Sequence, residues 1–162
     1  MTYAELMGLH VMASDISNAL LQAPTSEKNY VICGPNFGID NVRKVALITR
    51  ALYSGNAAIL DFWHHLKICM EFLGFTSSQI DPDVWSREAT KSNISNYYYC
   101  VLLYTYDWLV VSENPGAILL DEIGKHLSLK EYLIGPLSQY LGGNMKKVEI
   151  KNGQEFWAFV ST

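Results

Sequence analysis

Two aspartates stand where a carboxylate could do chemistry. Asp15 closes the apolar run Leu9 to Ile16 (LHVMASDI), and Asp107 interrupts the apolar stretch Tyr97 to Ser112. A carboxylate at a strand end can hold a divalent cation, cap a helix or turn the chain, and residue type alone leaves all three open. His64 and His65 are adjacent, so on a helix they point about 100° apart, unlike the pair one turn apart that clamps zinc. Cys33, Cys69 and Cys100 lack the Cys-x-x-Cys spacing of a metal or redox motif and read as reduced thiols. No P-loop, dinucleotide-binding glycine pattern or G-x-S-x-G occurs, which leaves NTPase, dehydrogenase and hydrolase readings without support.

The elements that must position these residues can be read in outline. Thr2 to Met7 predicts a helix stopped by Gly8, and Leu9 to Ile16 a buried strand. Tyr30 to Cys33 and Val45 to Thr49 predict short strands on either side of turn-rich sequence. From Ala57 to Leu73, the spacing of Leu60, Trp63, His64, Ile68 and Phe72 predicts an amphipathic helix with those residues on its buried stripe. Val84 to Arg87 predicts a short strand, and Tyr97 to Ser112 a hairpin turning at Tyr106-Asp107. Pro115 opens a helix to about His126. Tyr140 to Ile150 and Phe156 to Val160 predict strands joined by the Asn152-Gly153 turn, and Gly142-Gly143 predicts a close backbone turn. This order, without regular βα alternation, predicts an α+β fold: an antiparallel sheet backed by helices in one domain spanning 1–162.

Composition bounds the function. Hydrophobic residues make up 49% of the 162 and charged residues 17%, which places the chain among globular domains rather than disordered tails. No apolar run reaches the roughly 18 residues of a membrane span, and no signal segment opens the chain, so an intracellular, cytoplasmic protein is expected. The formal net charge is −4, with basic residues in small groups such as Arg43-Lys44 and Lys146-Lys147. Phosphate neutralisation supplies most of a nucleic-acid binder's affinity, so any grip on nucleic acid should be weak.

Five blocks, in this order, resemble the reverse transcriptase of copia-type retrotransposons: SDISNALLQAPTSEK from Ser14, ALYSGNAA from Ala51, LGFTSSQIDPDVW from Leu73, VLLYTYDWLVVSENP from Val101 and SQYLGG from Ser138. Each block is weak alone; their joint order and spacing across nearly the whole chain carry the resemblance. It implies a polymerase palm with a ferredoxin-like core, acting on an RNA/DNA template–primer in virus-like particles. In such a palm, Mg²⁺ ions clamp the attacking oxygen and the nucleotide phosphates, held by carboxylates on adjacent strands. The resemblance places Asp15 and Asp107 as catalytic, metal-holding residues, and Leu20 and Asn56 at the substrate.

The departures matter as much as the matches. Y-x-D-D reads Tyr104-Thr105-Tyr106-Asp107, so Tyr106 replaces the first paired ligand, and a phenol of reference pKa about 10 is no carboxylate at neutral pH. Leu20 stands where an aromatic residue is usual, Ser17 replaces a typical Lys, and Ser54 and Asn56 break the pattern LYG followed by Lys. The resemblance further implies that thumb and RNase H lie outside this stretch. The expectation is a catalytically impaired polymerase that does not bind Mg²⁺ tightly, with Tyr106 beside Asp15 and Asp107 leaning to solvent at the hairpin tip. The alternative is a non-catalytic α+β module that binds a partner protein or nucleic acid.

Overall fold

The structure, a computed structural model, describes residues 2–140, 143–149, 153 and 155–160. The chain divides into two compact units, Met1–Ser17 together with Cys69–Thr162, and Asn18–Ile68.

The first unit opens with α1 (Thr2–Met7), which Gly8 ends by adopting φ 58. The chain then enters β1 (His10–Asp15). Further along come β4 (Thr76–Ser77), β5 (Val84–Thr90), β6 (Asn96–Tyr104), β7 (Asp107–Ser112) and the two-residue β8 (Gly135–Pro136). The second unit contributes α2 (Ala19–Gln22), β2 (Tyr30–Ile32) and β3 (Val45–Leu47), and α3 (Ala58–Phe72) starts there. The six strands of the first unit form an antiparallel sheet in the order β4-β5-β6-β7-β1-β8. The fold class is therefore α+β, as the element order predicts. A separate sheet pairs β9 (Gln139–Tyr140), β10 (Gly143–Glu149) and β11 (Glu155–Val160). The strand expected over Tyr140 to Ile150 is thus two antiparallel strands, with Gly143 opposite Tyr140. The turn readings at Gly142 and Asn152 fall outside the described residues.

The sheet is buried on both faces around β7. Trp108 and Val110 point one way and pair across the strands with Leu103 and Val101, while Leu109 and Val111 point the other. On that second face they join Ala4, Val11, Tyr97 and Leu137 in one apolar cluster. Helical segment 115–125 contributes Ile118, Leu119 and Ile123, all at most 2% exposed. It starts as an α-turn capped by Asn114, whose side chain accepts the Ala117 N–H, and widens to a π-turn over Ile118–Glu122. Arg87 ties this segment to the sheet: its guanidinium pairs with Glu122 at 2.7 Å and lies over the ring of Phe75.

One expectation needs correcting. Helix α3 forms where periodicity predicts it, yet Leu60, Ile68 and Phe72 are more than half exposed. The buried stripe is Ala58, Phe62, Leu66, Cys69 and Met70. Apolar residues surround this helix on several faces, so the period of about 3.6 is legible while its phase is not.

Burial has a polar cost at the centre of the sheet. Ser14 Oγ, Ser112 Oγ and Trp108 Nε1 are buried with no hydrogen-bond partner among the described residues. Replacing a hydroxymethyl side chain by methyl removes a desolvated donor, so Ser112→Ala should leave stability unchanged or raise it by about 1 kcal/mol. Trp85→Ala, which empties a site 2% exposed, should cost about 3–5 kcal/mol. Urea unfolding midpoints of the two variants against the parent check both signs.

Candidate functional site

The site is built by the register of two strands. β1 and β7 run antiparallel from His10 opposite Ser112 to Asp15 opposite Asp107, so the two aspartates are direct cross-strand partners. Directly opposed residues stand on the same face, about 5 Å apart between Cβ atoms. Beyond Asp15 the pairing changes partner. Ile16 donates its N–H to the Tyr106 carbonyl at 3.1 Å, and Lys130 donates its N–H to the Asp15 carbonyl at 2.8 Å. An isolated bridge between Ile16 and Leu129 continues the contact.

That bridge brings in a residue to which the sequence analysis gave no role. Lys130 Nζ lies 3.0 Å from Asp15 Oδ1, with about a third of the lysine side chain and a quarter of the aspartate exposed. Nothing in the sequence around Lys130 announces this, because the pairing depends on the path of the chain after the helical segment. The one available signal is the alternation of Leu127, Ser128 and Leu129, which fits a strand-like piece ending at the lysine.

The electrostatics follow from this geometry. Burial, and then the facing Asp15, push the Asp107 carboxyl above its usual range, while Lys130 pulls it back. Tyr140 also feels the site: burial raises its phenol, with Asp107 and then Asp83 adding to the rise. Its hydroxyl therefore stays protonated at neutral pH.

The hairpin departs from its expected geometry by one residue. The turn is Thr105-Tyr106, with Thr105 at φ 56, and Tyr104 pairs with Asp107. Asp107 therefore opens β7 and is partly buried instead of standing at the tip, and Asp107 rather than Tyr106 is the cross-strand partner of Asp15. A two-residue turn must reverse the chain within Thr105-Tyr106, which leaves the next residue already in the ladder.

Leu20 and Asn56 belong to the second unit. Leu20 is 3% exposed on α2, the burial of a core residue. Asn56 is exposed and lines a polar cavity of about 390 Å³ with Arg50, Glu27 and Thr25. Two carboxylates tie the segments around that cavity, Glu27 from its wall and Asp61 from behind Thr25. Glu27 accepts the Ala57 N–H at 3.1 Å, just ahead of α3. Asp61, on the first turns of α3, accepts the Ser26 N–H at 2.9 Å and the Thr25 hydroxyl at 3.3 Å. The Ser26 hydrogen bonds chiefly hold the Asp61 carboxyl below its usual range.

The donor set can be tested against magnesium. Two carboxylates on adjacent strands are oxygen ligands of the right class, but an ammonium already occupies Asp15 Oδ1. Among the described residues, no group of three or more His, Cys, Asp or Glu is placed to hold a metal ion. Asp15, Asp107 and Lys130 together do not fit a two-ion clamp.

No family model and no solved structure matches the chain. It is similar to the retrovirus-related Pol polyprotein from transposon TNT 1-94 of Nicotiana tabacum, 24% identical over 160 residues. The alignment covers 97% of this chain and 11% of that polyprotein. The similarity supports an origin in retrotransposon Pol sequence. Among the described residues, no helix is long and apolar enough to cross a membrane.

The raised Asp107 carboxyl gives a signed prediction. The folded protein binds that proton more tightly than the unfolded chain does. Its contribution is therefore full below the ordinary carboxylate value of 3.8 and is lost as pH rises through the raised one. Asp107→Asn removes the repulsion and should stabilise the protein at pH 7 by about 0.2–1 kcal/mol, the range for opposed like charges. The gain should vanish below pH 3.8. Thermal melts of both proteins across that window measure it, and a gain that persists in acid would assign it to packing.

Proposed function

We propose that the chain is a reverse-transcriptase palm of copia type that no longer polymerises DNA. The observation that carries the reading is the pairing of Asp15 with Asp107. These aspartates lie 92 residues apart, in two of the blocks on which the resemblance rests, and the fold sets them side by side on adjacent strands. A palm needs carboxylates brought together on adjacent strands, and this pair meets that need although its register differs by one residue from the expected one. The Pol similarity along 97% of the chain supports the same origin.

Loss of catalysis rests on chemistry at the same place. Tyr106 offers a phenol where the Y-x-D-D pattern has a carboxylate, and Asp15 is engaged by Lys130. Phosphoryl transfer depends on charge stabilisation by bound ions, and losing a stabiliser worth about 4 kcal/mol slows it roughly a thousandfold. In this reading Mg²⁺ is not a resident cofactor. Asp15 and Asp107 keep the positions of catalytic ligands without the function, and Leu20 and Asn56 are remnants of a nucleotide site.

The purified chain should extend no primer with Mg²⁺ or Mn²⁺ on an RNA or DNA template. Incorporation above an Asp15→Ala control would overturn the proposal. Affinity for an RNA–DNA duplex at physiological salt should fall in the non-specific range, about 10⁻⁴ to 10⁻⁶ M. Nanomolar affinity by fluorescence anisotropy, with no extension, would instead select the non-catalytic binding module.

A further inference from the structure

We infer that the Lys130 ammonium is the resident cation of the Asp15–Asp107 pair, and that it excludes divalent ions from the site. The inference deepens the proposed loss of polymerase function, but it rests on geometry that any α+β protein with this site would share.

The argument begins with charge. Asp15 and Asp107 face each other across β1 and β7, and two opposed carboxylates in a partly buried setting need a counter-charge. Lys130 supplies one, 3.0 Å from Asp15 Oδ1. The lysine is held in place from both ends, since its own N–H bonds the Asp15 carbonyl at 2.8 Å. The ammonium is thus fixed to the same residue whose carboxylate it neutralises. A surface lysine reaching in by chance would lack that backbone tie.

An ammonium and a divalent ion cannot share these oxygens. A magnesium ion takes oxygen ligands at about 2.0–2.1 Å and offers no position to a cationic nitrogen. Binding an ion here would first require Lys130 to release Asp15 and remain close by, where it would repel the incoming charge. Among the described residues, no group of three or more His, Cys, Asp or Glu offers a substitute ligand set. Tyr140 is held neutral by burial and by Asp107, and a neutral phenol adds little to a cation's shell. Asp83 acts on Tyr140 rather than completing the pair. The pull of Lys130 on the Asp107 carboxyl, opposite to that of Asp15, agrees with one cation serving both acids.

Manganese titration of wild-type protein carrying ¹³C-labelled aspartate tests the inference directly. The carboxyl signals of Asp15 and Asp107 should show no site-specific paramagnetic broadening up to about 1 mM Mn²⁺, the weak end of the range that carboxylate sites cover. Lys130→Gln, which keeps a polar side chain one atom shorter and removes its charge, should bind Mn²⁺ roughly tenfold more tightly and broaden both signals. Lys130→Arg should behave as wild type. Broadening of the pair in the wild-type protein would overturn the inference, and so would a Lys130→Gln variant that binds no more tightly. Should Lys130→Gln fail to fold, the wild-type titration still decides. Primer extension tests polymerase ancestry and activity separately, so a failed ion result and a failed functional reading are distinguishable.

Discussion

Six successive cross-strand pairs between β1 and β7 fix the geometry on which everything at the site depends. Strand side chains alternate faces, so a slip of one residue would turn Asp15 away from Asp107 and bury a charge among the apolar residues of the other face. The register is held by that penalty. Val11 and Val111 must meet on the face of the apolar cluster, and Met12 must meet Val110 on the other. Fixing those pairs also fixes Ser14 opposite Trp108 and Asp15 opposite Asp107. The buried hydroxyls of Ser14 and Ser112 show the weight of this constraint: the sheet keeps two unpartnered polar groups instead of shifting.

How far the sequence foretold this depends on whether local or distant residues decided the matter. α1 follows the expected bounds because Gly8, with no Cβ, readily takes the left-handed backbone that ends it. The β6–β7 hairpin was legible from its aromatic and β-branched content. Its turn was not, because Thr105 adopts φ 56, which a β-branched residue rarely does. The two apolar halves around Tyr106-Asp107 are equally consistent with a turn one residue earlier, and tertiary pairing made the choice. Helix α3 repeats the lesson in another form. Its composition sets the period, but Ile59, Leu60, Ile68 and Phe72 are exposed where Phe62, Leu66 and Met70 are not.

The site divides along the same line. Asp15 and Asp107 were each legible as candidates through the ordered blocks around them, but the sequence reading set Tyr106 beside Asp15, and the register instead pairs Asp15 with Asp107. Lys130 was invisible, since no local pattern says that a chain leaving segment 115–125 will return along the end of β1. The Asp61 contacts with Thr25 and Ser26 were missed for a similar reason: the partners are 36 and 35 residues away, and an acidic residue in the first turn of a helix reads as an ordinary dipole partner.

Fold and chemistry rest on different groups at the site. The β1–β7 register is held by backbone hydrogen bonds and by apolar side chains on both faces, while Tyr106 enters the connection through its carbonyl, which accepts the Ile16 N–H. Any residue has that carbonyl. The turn uses the backbone at 106, whereas Val110 and Trp108 are fixed by full burial of their side chains. Two facing carboxylates carry like charges, and the ammonium of Lys130 at Asp15 is a stabilising neighbour to them. Packing and register alone thus hold the strand pair and the facing aspartates together, whatever chemistry the site performs. The same logic limits what the fold can say about activity: adjacency of Asp15 and Asp107 bears on origin, and the groups bound to their oxygens bear on function.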